Sequence, residues 1–136
     1  MQEHIKMELA YLAGLFDGEG CIHIAKPKTT SGYSYSLTIS IHQKHSETVK
    51  KVHHCFGGNF NECKNGTYTW QCQGAEAGNV LRLVLPFLIE KKEQAELGID
   101  FLETFNYGVG KCIHRSDKEK EFQELYYLKM QILKRL

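Results

Sequence analysis

The chain has little that would seat it in a membrane or an oxidising compartment. No apolar run approaches the roughly twenty residues of a membrane span. The opening Met1-Gln2-Glu3-His4-Ile5-Lys6 lacks the apolar core of a secretory signal, so the chain is expected to act inside a cell or organelle. Cysteine occurs five times, as Cys21, Cys55, Cys63, Cys72 and Cys112, never as Cys-x-x-Cys, and the odd count leaves one thiol over in any disulfide scheme. Reduced thiols are expected. His53-His54-Cys55 with Cys63 and Cys72 could be assembled into a zinc site, but structural sites usually pair ligands about two to four residues apart on a turn. His53 and Cys55 would instead point to different faces of a helix, so packing and surface positions are the simpler reading. A net charge of +1 is too small to announce a nucleic-acid partner. Charge is, however, segregated: Lys26, Lys28, Lys44, Lys50, Lys51 and Lys64 lie in the first half, and acids crowd between Glu90 and Glu124.

What is present fits one small domain of 136 residues, too short for two, with a core over about 5–105 and a C-terminal helical extension over about 117–136. The pattern predicts helix, two strands, helix, two strands, then helices. A first strand from Cys21 to Lys26 meets the polar turn Pro27-Lys28-Thr29-Thr30-Ser31-Gly32. Its partner alternates Tyr35, Leu37, Ile39 and Ile41 against Ser34, Ser36, Thr38, Ser40 and His42. Ser46 is placed to cap a helix from Glu47 to Phe56 that ends at Gly57-Gly58. Asn59 to Lys64 and Thr67 to Gln73 flank Asn65-Gly66, the dipeptide most typical of a two-residue hairpin. Helices follow over about Glu76 to Leu85, broken at Pro86, over Lys91 to Phe105, and, past a Tyr107-Gly108-Val109-Gly110 loop, through Phe122, Leu125, Tyr126, Leu133 and Leu136.

The densest information lies in Leu12-Ala13-Gly14-Leu15-Phe16-Asp17-Gly18-Glu19-Gly20. Leu9, Leu12 and Leu15 or Phe16 make an apolar helical stripe, while Ala10, Gly14 and Gly18 make a stripe of small residues that lets another backbone approach. Asp17 and Glu19 sit where the helix must stop, the unfavourable end for negative charge. A local rule broken in this way points to a functional site. Carboxylates on a tight glycine-flanked turn suit a hard cation such as Mg²⁺.

The nonapeptide resembles the signature of the LAGLIDADG homing endonucleases, with Glu19 in place of the usual aspartate of its eighth position. Ile41-His42-Gln43-Lys44 ahead of a helix, and Pro86-Phe87-Leu88 followed by Lys91 and Gln94-Ala95, are similar to that family at compatible spacing. The resemblance covers about the first 105 residues. It implies an α+β fold, an αββαββα half-saddle with an antiparallel sheet, and a site-specific endonuclease that makes a metal-dependent double-strand break, encoded in an intron or other mobile element of a mitochondrion, chloroplast, prokaryote or phage.

Two hairpins with one Ser/Thr/Gln/Asn face suit the major groove, where a β-ribbon fits; a merely solvated face is the alternative. Strand parity, with the hairpin tip, nominates His23, Lys26, Lys28, Tyr33, Ser34, Ser36, Thr38, Ser40, Thr69, Gln71 and Gln73 for DNA contact. Because the signature occurs once, Ala10, Gly14 and Gly18 are expected to meet a second copy, giving a homodimer on a pseudo-palindromic site; packing against a later helix of the same chain is the alternative. By resemblance, Glu19 and the Gly18 carbonyl bind Mg²⁺, with Mn²⁺ as a substitute, Gln43 positions water, Lys91 supports the phosphate, and Asp17 is structural. Glu47 departs from the basic residue found there in some members. An RNA-splicing maturase and a non-cleaving DNA-binding module are the competing functions.

Overall fold

The computed structural model describes residues 2–30, 32–105 and 115–136; the Tyr107-Gly108-Val109-Gly110 loop and Cys112 lie outside them. The chain opens with helix α1 (Glu3–Glu19), which passes directly into strand β1 (Gly20–Ala25). Leu9, Leu12, Ala13 and Phe16 form its buried side. Gly20 ends the helix in an extended conformation, φ −86°, ψ 162°. A side chain there would come within 2.7 Å of Phe16, so it is close approach, not a left-handed turn, that calls for glycine.

Two short strands, β2 (Lys28–Thr29) and β3 (Gly32–Tyr33), form the first hairpin's tip, and β4 (Ser36–Gln43) returns. Helix α2 (Ser46–Phe56), strands β5 (Asn59–Glu62) and β6 (Tyr68–Gln73), and helix α3 (Gly74–Val84) follow. Ser46 is the first helical residue and not its cap; His45 holds the cap position without a side-chain hydrogen bond. The second hairpin's loop also differs from expectation. Cys63 N–H bonds Thr67 O at 2.8 Å and Gly66 N–H bonds Cys63 O at 3.2 Å, so three residues, not two, make the loop. Gly66 at φ +81° supplies its left-handed step. Pro86 lies in a short 3₁₀ turn, Leu85–Phe87, that separates α3 from helix α4 (Lys92–Phe105), and α5 (Asp117–Lys134) closes the described chain.

The sheet is antiparallel in the order β1-β4-β6-β5. Ile22, Ile24, Leu37, Ile39, Ile41, Trp70 and Cys72 turn one face into a buried core. Phe16 stands edge-on to Trp70 at 5.8 Å, and the Trp70 indole donates to Gly57 O at 2.6 Å. Helix α5 has a capping box, Ser116 with Glu119, and buries Gln123 and Met130. It runs antiparallel to β1, with Glu124 bonded to Lys26 at one end and Lys134 to Cys21 at the other.

Candidate active site and nucleic-acid interface

The junction of α1 and β1 collects the signature's polar groups. The Asp17 carboxylate accepts the Ile89 N–H at 2.9 Å and the Lys91 N–H at 3.0 Å, immediately before α4 begins at Lys92. A charge that is unfavourable at the end of its own helix is therefore favourable at the start of another. The Lys91 ammonium returns the link by donating to Asp17 O at 2.6 Å, a cation at the C-terminal end of α1, whose last turn has none of its own. Glu19, two residues on, is exposed and has no hydrogen-bond or ion-pair partner among the described residues. Gly20, the first residue of β1, pairs with Ile41, and β4 ends two residues further on at Gln43. Glu19, Gln43 and Lys91 thus share one end of the sheet.

The second sheet face is neutral and polar. One row crosses it through His23, Thr38 and Gln73, and the next through Cys21, Ser40, Gln71 and Asn59. Thr38 differs from its reading as an open groove contact: it is 4% exposed, closed in on a central strand by its neighbours. Thr69 shares its hydroxyl with His42 Nδ1 at 2.9 Å and Cys63 Sγ at 3.3 Å. Ser36, Ser40 and Gln71 are half-buried, and Ser34 and Gln73 are exposed. Parity on β5 adds the exposed Asn59 and Asn61, facing Gln71 and Thr69, which an assignment confined to the longer strands left out. The Cys21 thiol lies 3.6 Å from His23 Nδ1 and accepts from Lys134 Nζ at 3.4 Å. The His23 hydrogen bond outweighs burial and, with Lys134, brings its pKa down to about 7.

The cations at the borders divide in two. Lys26 bonds Glu124 at 2.9 Å and lies over the Tyr33 and Tyr127 rings, 4.7 and 4.9 Å from their centroids, so it is a strut between β1 and α5 and not a free phosphate contact. Lys51 pairs with Glu8 at 2.7 Å and Lys50 with Glu47 at 3.6 Å. Lys28, beside Tyr33 at the first hairpin's tip, is exposed, as are Lys44 and Lys64 at the opposite end.

The outer side of α1 is bare. Ala10, Gly14 and Gly18 are exposed, and a side chain built on either glycine would meet nothing within 4 Å. The intrachain packing considered for them does not form among the described residues. Met7 and Tyr11, 71% and 51% exposed, lie on the same side.

A family model for LAGLIDADG endonucleases matches residues 12–107. The chain belongs to this family. LAGLIDADG structures also reproduce its fold: the homing endonuclease I-CvuI, crystallised with DNA, superposes with a TM-score of 0.85 at 19% identity over 97% of this chain and 85% of its own. The archaeal intron-encoded homing endonuclease I-Vdi141I, complexed with DNA, gives 0.78 at 17% identity over 94% and 84%. No curated protein sequence matches significantly.

Within this LAGLIDADG fold, no three His, Cys, Asp or Glu side chains converge among the described residues, so the zinc grouping does not assemble there. Burial pushes the Cys72 thiol up to about 12, and Cys55 is exposed. Glu19 does fit a hard cation: a bare carboxylate beside the open backbone of Gly18 leaves most of a coordination shell to water and phosphate. No helix of the described residues is long and apolar enough to cross a membrane.

Proposed function

We propose that this endonuclease acts as a homodimer, cutting both strands of a long pseudo-palindromic DNA site in a reaction that requires a divalent cation. The reading rests on one observation: a bare, exposed carboxylate at Glu19 stands beside the Lys91–Asp17 link at the edge of a neutral, hydrogen-bonding sheet face. Two-fold pairing through the bare side of α1 would bring two such carboxylates near one axis with a sheet on each side. The location proposed for this activity is an intracellular compartment that holds the target DNA.

Glu19 and the Gly18 carbonyl would hold Mg²⁺, or Mn²⁺ in its place, against the scissile phosphate. The chemistry such an ion would supply there is acidification of water and neutralisation of charge on the leaving oxygen. Gln43, an amide with both donor and acceptor atoms, orients the attacking water. Lys91 spends one N–H on Asp17 O and keeps two for phosphate oxygens. Sequence readout falls to the neutral polar rows and the tip residues Lys28 and Tyr33, with bending and water contributing specificity that no side-chain list captures.

The test is a plasmid carrying the uninterrupted host gene, incubated with Mg²⁺ or Ca²⁺. Cutting is expected with Mg²⁺ and not with Ca²⁺, and Glu19→Gln is expected to bind the site without cutting it. Equal cutting by that variant overturns the role given to Glu19. Binding without cutting by the unaltered protein would point to a DNA-binding module, and stimulated RNA splicing without DNA cutting to a maturase.

A further inference from the structure

An exposed large apolar side chain is ordinary when it stands alone, but a contiguous stripe of them marks a contact surface. Phe122, Leu125, Leu128 and Ile132 of α5 are each between 47% and 60% exposed. At 3.6 residues per turn they fall within about 120° of the helix circumference, roughly opposite the buried Gln123 and Met130. The fold does not use this side. Helix α5 packs on α4 and β1, and it is held there by its capping box, by the Tyr126 hydroxyl donating to Asp100 at 2.8 Å and by Glu124 with Lys26. Neither the carboxylate of Glu19 nor the polar rows of the sheet involve it, and an apolar stripe gains nothing from a phosphate backbone.

The charges beside the stripe say what fits it. Glu121 and Arg135 are exposed, border it on the same flank near its two ends, and have no ion-pair partner among the described residues. They stand about 21 Å apart along the helix, with Leu128 midway between them. Antiparallel helices bring like flanks together, so a second α5 laid antiparallel meets each Glu121 with an Arg135. A parallel copy would not match them. The apolar positions follow the same symmetry: Leu128 lies beside its counterpart, and Leu125 of each copy lies beside Ile132 of the other. Lys129, on the opposite flank, can lay its stem along the stripe and keep its ammonium in water.

We propose that the outer face of α5 is a self-association surface, taken by α5 of a second copy running antiparallel about a two-fold axis near Leu128. A single helix pair lies at the small end of specific interfaces, so the contact is weak, with a dissociation constant on the order of 100 µM. It is separate from the bare side of α1. A chain carrying both self-complementary faces joins pairs formed through α1 into larger assemblies as its concentration rises.

Sedimentation without DNA, from about 1 to 300 µM protein, reads the contact as association that grows with concentration. Leu128→Asp, which sets two carboxylates face to face at the axis, should remove this association while helix content by circular dichroism stays the same. Glu121→Arg and Arg135→Glu should each weaken it about tenfold, because either puts like charges together twice in a two-fold contact. The two substitutions combined should restore it. If no association up to about 300 µM is lost in Leu128→Asp, the proposal is overturned. If the combined charge exchange fails to recover what each single exchange loses, the antiparallel pairing is overturned. Gly14→Leu separates this contact from the α1 seam: that chain should still pair through α5 at high concentration, and adding Leu128→Asp should leave a monomer. A chain that pairs through α5 and never through α1 would overturn the α1 seam and support this proposal.

Discussion

Asp17 and Lys91, 74 positions apart, hold each other twice: the Lys91 amide donates to Asp17 Oδ1 at 3.0 Å and the Lys91 ammonium to Asp17 O at 2.6 Å. The carboxylate closes the start of α4 while the ammonium closes the end of α1, so each residue sits where its charge suits the helix dipole. The two acids of the signature are thereby separated in kind. Asp17→Ala should destabilise the protein by about 2 kcal/mol, since it removes two charge-assisted bonds to backbone. Glu19→Gln should cost nothing and gain a few tenths of a kcal/mol by removing negative charge from a helix C-terminus. Urea unfolding of both variants checks the pair; equal losses would mean that Glu19 too is structural.

Glu124 makes stability depend on pH. Burial pushes its carboxyl upward, but hydrogen bonds from Tyr35 and Lys26, with the charge of Lys26, outweigh this and leave it below the usual carboxylate range. A carboxyl depressed in the folded state stabilises above its unfolded pKa, and the contribution disappears as pH falls through the folded value. Glu124→Gln should therefore lower stability at pH 7 by about 1–2 kcal/mol, and the difference should shrink as acid pH falls through the folded value. Unfolding curves whose difference stays constant as pH falls would show that the carboxylate is not what ties α5 to β1.

The thiols should react in a definite order. Cys21 titrates at about 7, held down first by His23, whereas burial raises Cys55 and takes Cys72 to about 12. Because the thiolate is the nucleophile, iodoacetamide at pH 7.5 should modify Cys21 ahead of Cys55 and leave Cys72 untouched until unfolding. His23→Ala should raise the midpoint of the Cys21 rate profile. Peptide mass analysis after timed quenching decides the order.

Much of this was legible in the residues, and the failures share a cause. Alternation of Tyr35, Leu37, Ile39 and Ile41 announces a half-buried strand, and Leu37, Ile39 and Ile41 form the buried side of β4, with Tyr35 buried just ahead of it. Parity says which face a side chain takes but not how crowded its position is, so Thr38 on a central strand reads like Ser36 and yet is closed off. Asn65-Gly66 signals a hairpin turn, but the loop's length depends on how Cys63 and Thr67 pair. Lys26 looks like a tip cation because its partner, Glu124, lies 98 residues away. The bonds from Asp17 to Ile89 and Lys91 are hidden for the same reason: nothing local to the signature names the helix that it caps.

Gly14 offers the sharpest check on assembly. It lies within a helix, where glycine costs about 1 kcal/mol relative to alanine, and no neighbour within 4 Å among the described residues requires it. A glycine without an intramolecular reason is expected to have an intermolecular one, and Met7, Ala10, Tyr11 and Gly18 share its exposed side. Gly14→Leu should therefore leave the monomer's fold intact, with helix content equal or higher, while weakening self-association at least tenfold in sedimentation at micromolar concentration. Gly14→Ala, which adds one methyl group, should fall between the two. Stability must be compared at matched protein concentration, because a dimer's melting temperature rises with concentration and would otherwise mask the gain in the monomer. If Gly14→Leu associates as tightly as the unaltered chain, α1 is not the seam and the two-fold arrangement of Glu19 carboxylates goes with it.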